Sequence, residues 1–293
     1  LGKIIAIHSY KGGTGKTLLS VNLAATYARR GMKVCLLDLD FRAPSLQSLF
    51  DLNSTEYWLN DYLNGACKIE KTLIDYTSMC ECSGRMLVGL ANPATEALRD
   101  MSAKDRKWEM RALGRLLSLK NTLLSDGDLD VLLYDTSPGL QYSSINAIVS
   151  ADIVMVVCTI DTSDIQGTKR MTHELYDLFE KKTAILMNKV PTEFLSSPNE
   201  KESIYTRFNN SHALPILKVI PCYCDVLRAG GTRIFARDFP DHPFTKHVED
   251  IATKLEQFTR NGEEPVREPI NEPVVEANLS ELQCQCNYER SKE

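Results

Sequence analysis

The chain has 293 residues, the length of one or two domains, and its 43% apolar and 25% charged residues match a globular protein. No apolar run approaches the ~20 residues that would span a bilayer. The net charge of −5 sits at the end: 261–293 carry eight acids and three bases, and the first 260 residues balance 31 against 31, which suits neither DNA nor an anionic lipid surface.

Leu1 to Ser9 is a short apolar run that meets a lysine- and glycine-rich loop with no cleavage site. It does not read as a secretory signal peptide, although a start on Leu1 leaves a removed leader open. It reads instead as the first of seven strands, followed by Val34–Leu37, Met86–Leu90, Val131–Tyr134, Ile153–Val157, Ala184–Met187 and Ile216–Ile220. Most are apolar throughout, as in strands covered on both faces. Helical spacing links Met110, Leu113, Leu116, Leu117 and Leu124, then Met171, Leu175 and Leu178, and finally Phe244, Val248, Ile251, Leu255 and Phe258. The predicted fold is α/β: a doubly wound, mostly parallel sheet of about seven strands with helices on both faces. Such sheets bind ligands beyond the carboxyl ends of their strands. This domain is expected over 1–260. A tail follows over 261–293, where Glu-Pro-Val or Glu-Pro-Ile recurs at Glu264, Glu268 and Glu272. Proline every fourth residue predicts an extended, semi-rigid spacer.

The first strand runs into Lys11-Gly12-Gly13-Thr14-Gly15-Lys16-Thr17, and a helix-compatible stretch follows from Leu18. Tyr10 stands where a strict phosphate loop has glycine. Gly12, Gly13 and Gly15 let backbone N–H groups curl around a phosphate, and the helix N-terminus adds partial positive charge. Lys16 can reach the β- and γ-phosphates, and Thr17 can ligate Mg2+. Asp135 closes an apolar strand, where a carboxylate is costly without a cation or hydrogen bonds, and magnesium held through water fits it. Asp38 and Asp40 lie two apart after a strand and can point the same way, so one could orient an attacking water. Asn188 follows a strand where a base could lie. Pro191 stands where a GTPase pattern wants Asp, so ATP is favoured over GTP.

Residues 11–17 resemble the deviant Walker A motif of the MinD/ParA family of P-loop ATPases, in the SIMIBI class. Asp38 to Ser45 resembles that family's switch I, Asp135 to Gly139 its Walker B motif with switch II, and Asn188 its adenine-reading asparagine. The resemblance covers roughly residues 3 to 258. It implies an ATPase that binds Mg·ATP and closes an ATP-sandwiched homodimer. Lys11 would cross to the partner's nucleotide in the manner of an arginine finger, an effect worth about 10³–10⁵ in rate. Asp40 would orient the water, and Asp38 would support the magnesium shell beside Thr17 and Asp135. Gly12, Gly13, Thr14, Gly15, Lys16, Thr17 and Leu18 would hold the phosphates, with Asn188 and Pro221 near the base. Leu18 replaces the family's Ser or Thr, which removes a hydroxyl from the α-phosphate but leaves the backbone N–H groups.

The cargo is not written in the motor. A membrane positioner would end in a basic amphipathic helix, which Asn287 to Glu293 lacks. A DNA-partitioning ATPase needs a basic face, and Asp225, Asp238, Asp241 and Glu249 dilute Arg228, Arg233, Arg237 and Lys246. A metal-centre maturation ATPase, for iron–sulfur or nickel, is the alternative raised by three C-x-C pairs, Cys80/Cys82, Cys222/Cys224 and Cys284/Cys286. Two thiolates per chain make four per dimer, enough for zinc or a cluster. The tail pair, Cys284 and Cys286, is the leading candidate for such a metal. The reading adopted is a nucleotide-gated organiser of a protein partner, recruited partly through the tail. A switch that only dimerises stands beside it, and Asp40 argues for hydrolysis. The expected location is the cytoplasm, with peripheral membrane association left open, and in an intracellular chain the nine cysteines are not expected to form structural disulfides.

Overall fold

A computed structural model describes residues 2–260, apart from 51–54, 81, 177–178, 198, 200–203, 205, 207–213 and 215. The strands are β1 (Lys3–His8), β2 (Lys33–Leu39), β3 (Leu73–Asp75), β4 (Arg85–Gly89), β5 (Val131–Thr136), β6 (Ile153–Cys158), β7 (Lys182–Val190) and β8 (Ile216–Pro221). They form one sheet in the order β3-β4-β2-β5-β1-β6-β7-β8. Every pair is parallel except β3 with β4. The longer helices are α1 (Lys16–Arg29), α2 (Arg106–Leu119), α3 (Tyr142–Ser150), α4 (Thr162–Met171) and α5 (Pro243–Arg260).

Burial on both faces explains the unbroken apolar runs. Along β1, Ile5 and Ile7 join a core with Leu19 and Leu23 of α1 and Val248 and Leu255 of α5. Ile4 and Ala6 point to the other face, into a core with Trp108 and Leu116 of α2 and Ala147 of α3. Each fully buried Leu, Ile or Val contributes about 1.5–3 kcal/mol. Helix α1 is buried almost all round, because α5 covers the side that the sheet does not. The fold therefore fixes α1 firmly, and with it the loop that precedes it.

Two expectations are corrected. The sheet has eight strands rather than about seven. The added edge strand, Leu73-Ile74-Asp75, is three residues long and half-buried, too short to show a period. On α2 the buried stripe is Trp108, Ala112, Leu116 and Leu119, whereas Met110 and Leu117 are 64% and 49% exposed. The helical period was read correctly but centred on the wrong side, because Trp108 and Ala112 carry the core face and two aliphatic residues flank it. The apolar stripe of α5 lies as expected, with Phe244, Val248, Ile251, Leu255 and Phe258 all buried.

Two neighbouring substitutions check the placement of α2. Leu116→Ala is expected to cost about 2–5 kcal/mol in urea unfolding. Leu117→Ala is expected to stay within about 0.5 kcal/mol of wild type.

Candidate functional site

The site lies beyond the carboxyl ends of β1, β2 and β5. A cleft of about 420 Å³ is lined by the phosphate loop, by residues of the segments that follow β2 and β5, and by Lys189. Gly13 and Gly15 have φ of +76° and +99°, which only glycine adopts easily. A Cβ on Gly15 would also stand 2.5 Å from the Asn188 side-chain nitrogen. Gly12, Lys16, Thr17 and Leu18 line the cleft with them. Thr14 is buried, and its hydroxyl has no hydrogen-bond partner among the described residues. Lys16 is buried, and its Nζ donates to Ser9 Oγ at 2.8 Å. Burial lowers the Lys16 pKa, against the opposing pull of Asp135, Asp40 and Asp164.

Two carboxyls meet at the floor of the site. Asp38 of β2 stands opposite Asp135 of β5 in the parallel register, and both are 1% exposed. Burial, with the charge of Asp135, raises the Asp38 pKa well above the usual carboxylate range. Asp38 Oδ1 accepts from the Asp40 N–H at 3.0 Å, but Oδ2 has no partner among the described residues. Burial pushes Asp135 up to about 6, although the Thr17 and Ser20 hydroxyls donate to it and Lys16 lies near. A buried carboxylate with an orphaned oxygen, beside a second carboxylate and a threonine hydroxyl, is a donor set that suits a hard divalent cation. Half-buried Asp40 accepts from Ser137 Oγ at 2.8 Å and from the N–H groups of Arg42 and Ala43 at 3.3 and 3.2 Å. It thus ties the segment after β2 to the segment after β5.

The remaining expected residues are spread around this centre. Lys11 points away from the cleft: its Nζ donates to Asp161 Oδ1 at 2.8 Å and to Ser163 Oγ, both at the start of α4. The Lys11 hydrogen bond is the largest cause that holds the Asp161 carboxyl well below its usual range. Asn188 is buried and donates from Nδ2 to the Thr14 carbonyl at 2.8 Å. Pro221 is buried at the end of β8, opposite Val190, and does not line the cleft. Cys284 and Cys286 lie outside the described residues. Among the described residues, no group of three or more His, Cys, Asp or Glu side chains is placed to hold a metal ion. Cys35, Cys80 and Cys158 are core residues. The cleft also takes in Arg42, Gln141 and Lys189, which motif reading passed over.

His8, the last residue of β1, was passed over too. It is fully buried, and its Nε2 is 3.0 Å from the Gly139 carbonyl oxygen, to which the neutral ring donates. The Gly139 N–H in turn donates to the Ser9 carbonyl at 2.9 Å. Burial lowers the His8 pKa from 6.5 to about 3. The unfolded chain therefore takes up a proton below pH 6.5 that the folded chain refuses, and stability falls with pH over that window. The stability difference between wild type and His8→Asn, from urea titrations at pH 7, 5.5 and 4.5, is expected to shift against wild type by about 1.4 kcal/mol per pH unit below ~6. A difference independent of pH would show that the ring is not held neutral.

Known proteins share this fold. Residues 2–188 match the family model described as an AAA domain. The septum site-determining protein MinD of Thermotoga maritima is 26% identical over 262 residues, covering 87% of this chain and 88% of that protein. MinD of Pyrococcus horikoshii, solved in complex with Mg-ADP, superposes with a TM-score of 0.68 at 21% identity, over 88% of this chain and 97% of that one. MinD of Aquifex aeolicus, solved in a MinC:MinD complex, gives 0.69 at 22% identity, over 87% and 96%. The chain carries an AAA domain over more than half its length and belongs to the MinD/ParA family of P-loop ATPases.

Proposed function

We propose that this ATPase is a nucleotide-gated switch: Mg·ATP closes two copies face to face, and the closed pair recruits or releases a protein partner to position it in the cell. The observation that carries the reading is the division of labour between two lysines of one loop. Lys16 is buried at the phosphate loop, where one nucleotide needs one lysine. Lys11 is surplus there; its side chain is 39% exposed on the rim, held by Asp161. A cation that its own site does not use supports a role for it at a second copy.

The chemistry follows from the residues present. Thr17 would hold Mg2+ directly, with Asp135 and Asp38 as its carboxylate support: burial raises both carboxyls, and one Asp38 oxygen has no partner among the described residues, so a cation beside them would stabilise their ionised forms. Bound there, the ion would neutralise charge on the β- and γ-phosphates. Lys16 and the loop N–H groups stabilise charge on the transferred phosphoryl group. Asp40, held by Ser137, would orient the attacking water. Lys11 would leave Asp161 and cover the partner's nucleotide in trans, which makes turnover slow in a single copy and open to stimulation by a partner.

The Aquifex MinD solved with MinC supports a protein partner. Arg237 is paired with Asp238, and Lys246 lies near Asp241 and Glu249, so the candidate basic face is largely neutralised. Among the described residues, no helix is long and apolar enough to cross a membrane. We assign 1–260 to the ATPase unit and 261–293 to a tether for the partner.

Light scattering with turnover assays tests the switch. Wild type is expected to dimerise in Mg·ATP and not in Mg·ADP. Lys16→Ala should lose nucleotide binding, and Lys11→Ala should lose about 10²-fold or more in turnover. A Lys11→Ala protein that dimerised with ATP and hydrolysed it at the wild-type rate would end the proposal. Removal of 261–293 should leave ATP turnover intact.

A further inference from the structure

We propose that Lys189 is a positioning residue of the phosphate loop, its ammonium holding the Gly13 carbonyl so that the loop is set for a phosphate before nucleotide arrives. This rests on the reading of the cleft as an ATP site.

In a regular strand, neighbouring side chains point to opposite faces. Asn188 and Lys189 do not. Asn188 Nδ2 donates to the Thr14 carbonyl at 2.8 Å, and Lys189 Nζ donates to the Gly13 carbonyl at 2.7 Å. Two backbone features bring both to the same loop. In the β7–β8 register, Met187 pairs with Val219 and Val190 with Pro221, so Asn188 and Lys189 together oppose a single residue, Ile220. That is a bulge, a device that re-aims side chains next to functional sites. Lys189 itself has a φ of +58°, a left-handed conformation that a lysine seldom adopts. Strain of this kind persists where surrounding structure holds it and gathers at ligand sites.

Peptide planarity turns these two contacts into a statement about the cradle. In a trans peptide the C=O and the following N–H point in opposite directions. Fixing the Gly13 carbonyl therefore fixes the Thr14 N–H, and fixing the Thr14 carbonyl fixes the Gly15 N–H. The two adjacent side chains hold the outer, carbonyl side of the loop and leave two successive N–H groups facing the other way, as an anion-binding nest requires. On the Gly13 side, no Cβ restrains the Gly13–Thr14 peptide, and one built there would meet nothing within 4 Å, so the ammonium is the contact that holds the Gly13 carbonyl.

The test uses the full chain with Lys189→Met, which keeps the aliphatic stem and removes the ammonium. Lys189→Asn accompanies it, because asparagine accepts the left-handed backbone but is too short to reach Gly13. Hydrogen exchange in the nucleotide-free protein should show the 12–16 amides exchanging about tenfold faster in both variants. The dissociation constants of Mg·ATP and Mg·ADP should rise together, by about tenfold, with the loss read in KM more than in kcat. Unchanged exchange in the loop would overturn the inference. So would a loss confined to ATP, which would mean that the ammonium meets the γ-phosphate rather than the loop. Should wild type bind neither nucleotide, the ATP-site reading falls, and exchange in the loop still decides whether Lys189 tethers it.

Discussion

Two carboxyl groups, Asp38 and Asp135, face each other at the ends of adjacent parallel strands with almost no exposure to solvent. Much of the site can be understood as a response to that arrangement. Like charges at close range in a buried setting cannot both be ionised without a cation, and burial raises both groups. Lys16 supplies one positive charge, and the hydroxyls of Thr17 and Ser20 supply donors, yet one Asp38 oxygen is left bare. The apolar strands are what make the arrangement possible. They bring the acids inside, and α1, clamped between sheet and α5, delivers Lys16 and Thr17 to the same spot.

The motor was legible because its parts are local in sequence. The lysine- and glycine-rich loop spans seven consecutive residues, and the acids sit at the ends of runs whose apolar character announces strands. Other features were hidden for physical reasons. The strand at Leu73–Asp75 is too short for a period and gains its place from β4. The core face of α2 is set by Trp108 and Ala112, while Met110 and Leu117, more hydrophobic by type than Ala112, remain at the surface. The role of His8 depends on Gly139, 131 positions away, and nothing near His8 in sequence signals it. Lys189 was visible only as the neighbour of Asn188, since a bulge that reverses one side chain leaves no mark in composition.

The loop is also not a free-standing cradle. Its start is joined to the segment after β5 through Ser9 and Gly139, and its middle to β7 through Asn188 and Lys189. Asp40 joins the segments after β2 and β5 through Ser137. A change at the phosphate therefore meets hydrogen bonds that lead directly to three strand ends, and these are the places where a second molecule would sense it.

The bond between Lys11 and Asp161 has a consequence for ligand discrimination. Because Lys11 is already charge-compensated within one chain, the engagement with another copy's nucleotide proposed above would be an exchange of anionic partners rather than a new attraction. Only the difference between the two partners would drive closure. A carboxylate carries one negative charge, and a diphosphate whose charge is largely met by Lys16 and the loop exceeds it by little. A triphosphate exceeds it by more. On that reading the aspartate would act as an internal competitor that raises the threshold for association, so that the number of phosphates, rather than the mere presence of a nucleotide, would decide whether two copies close.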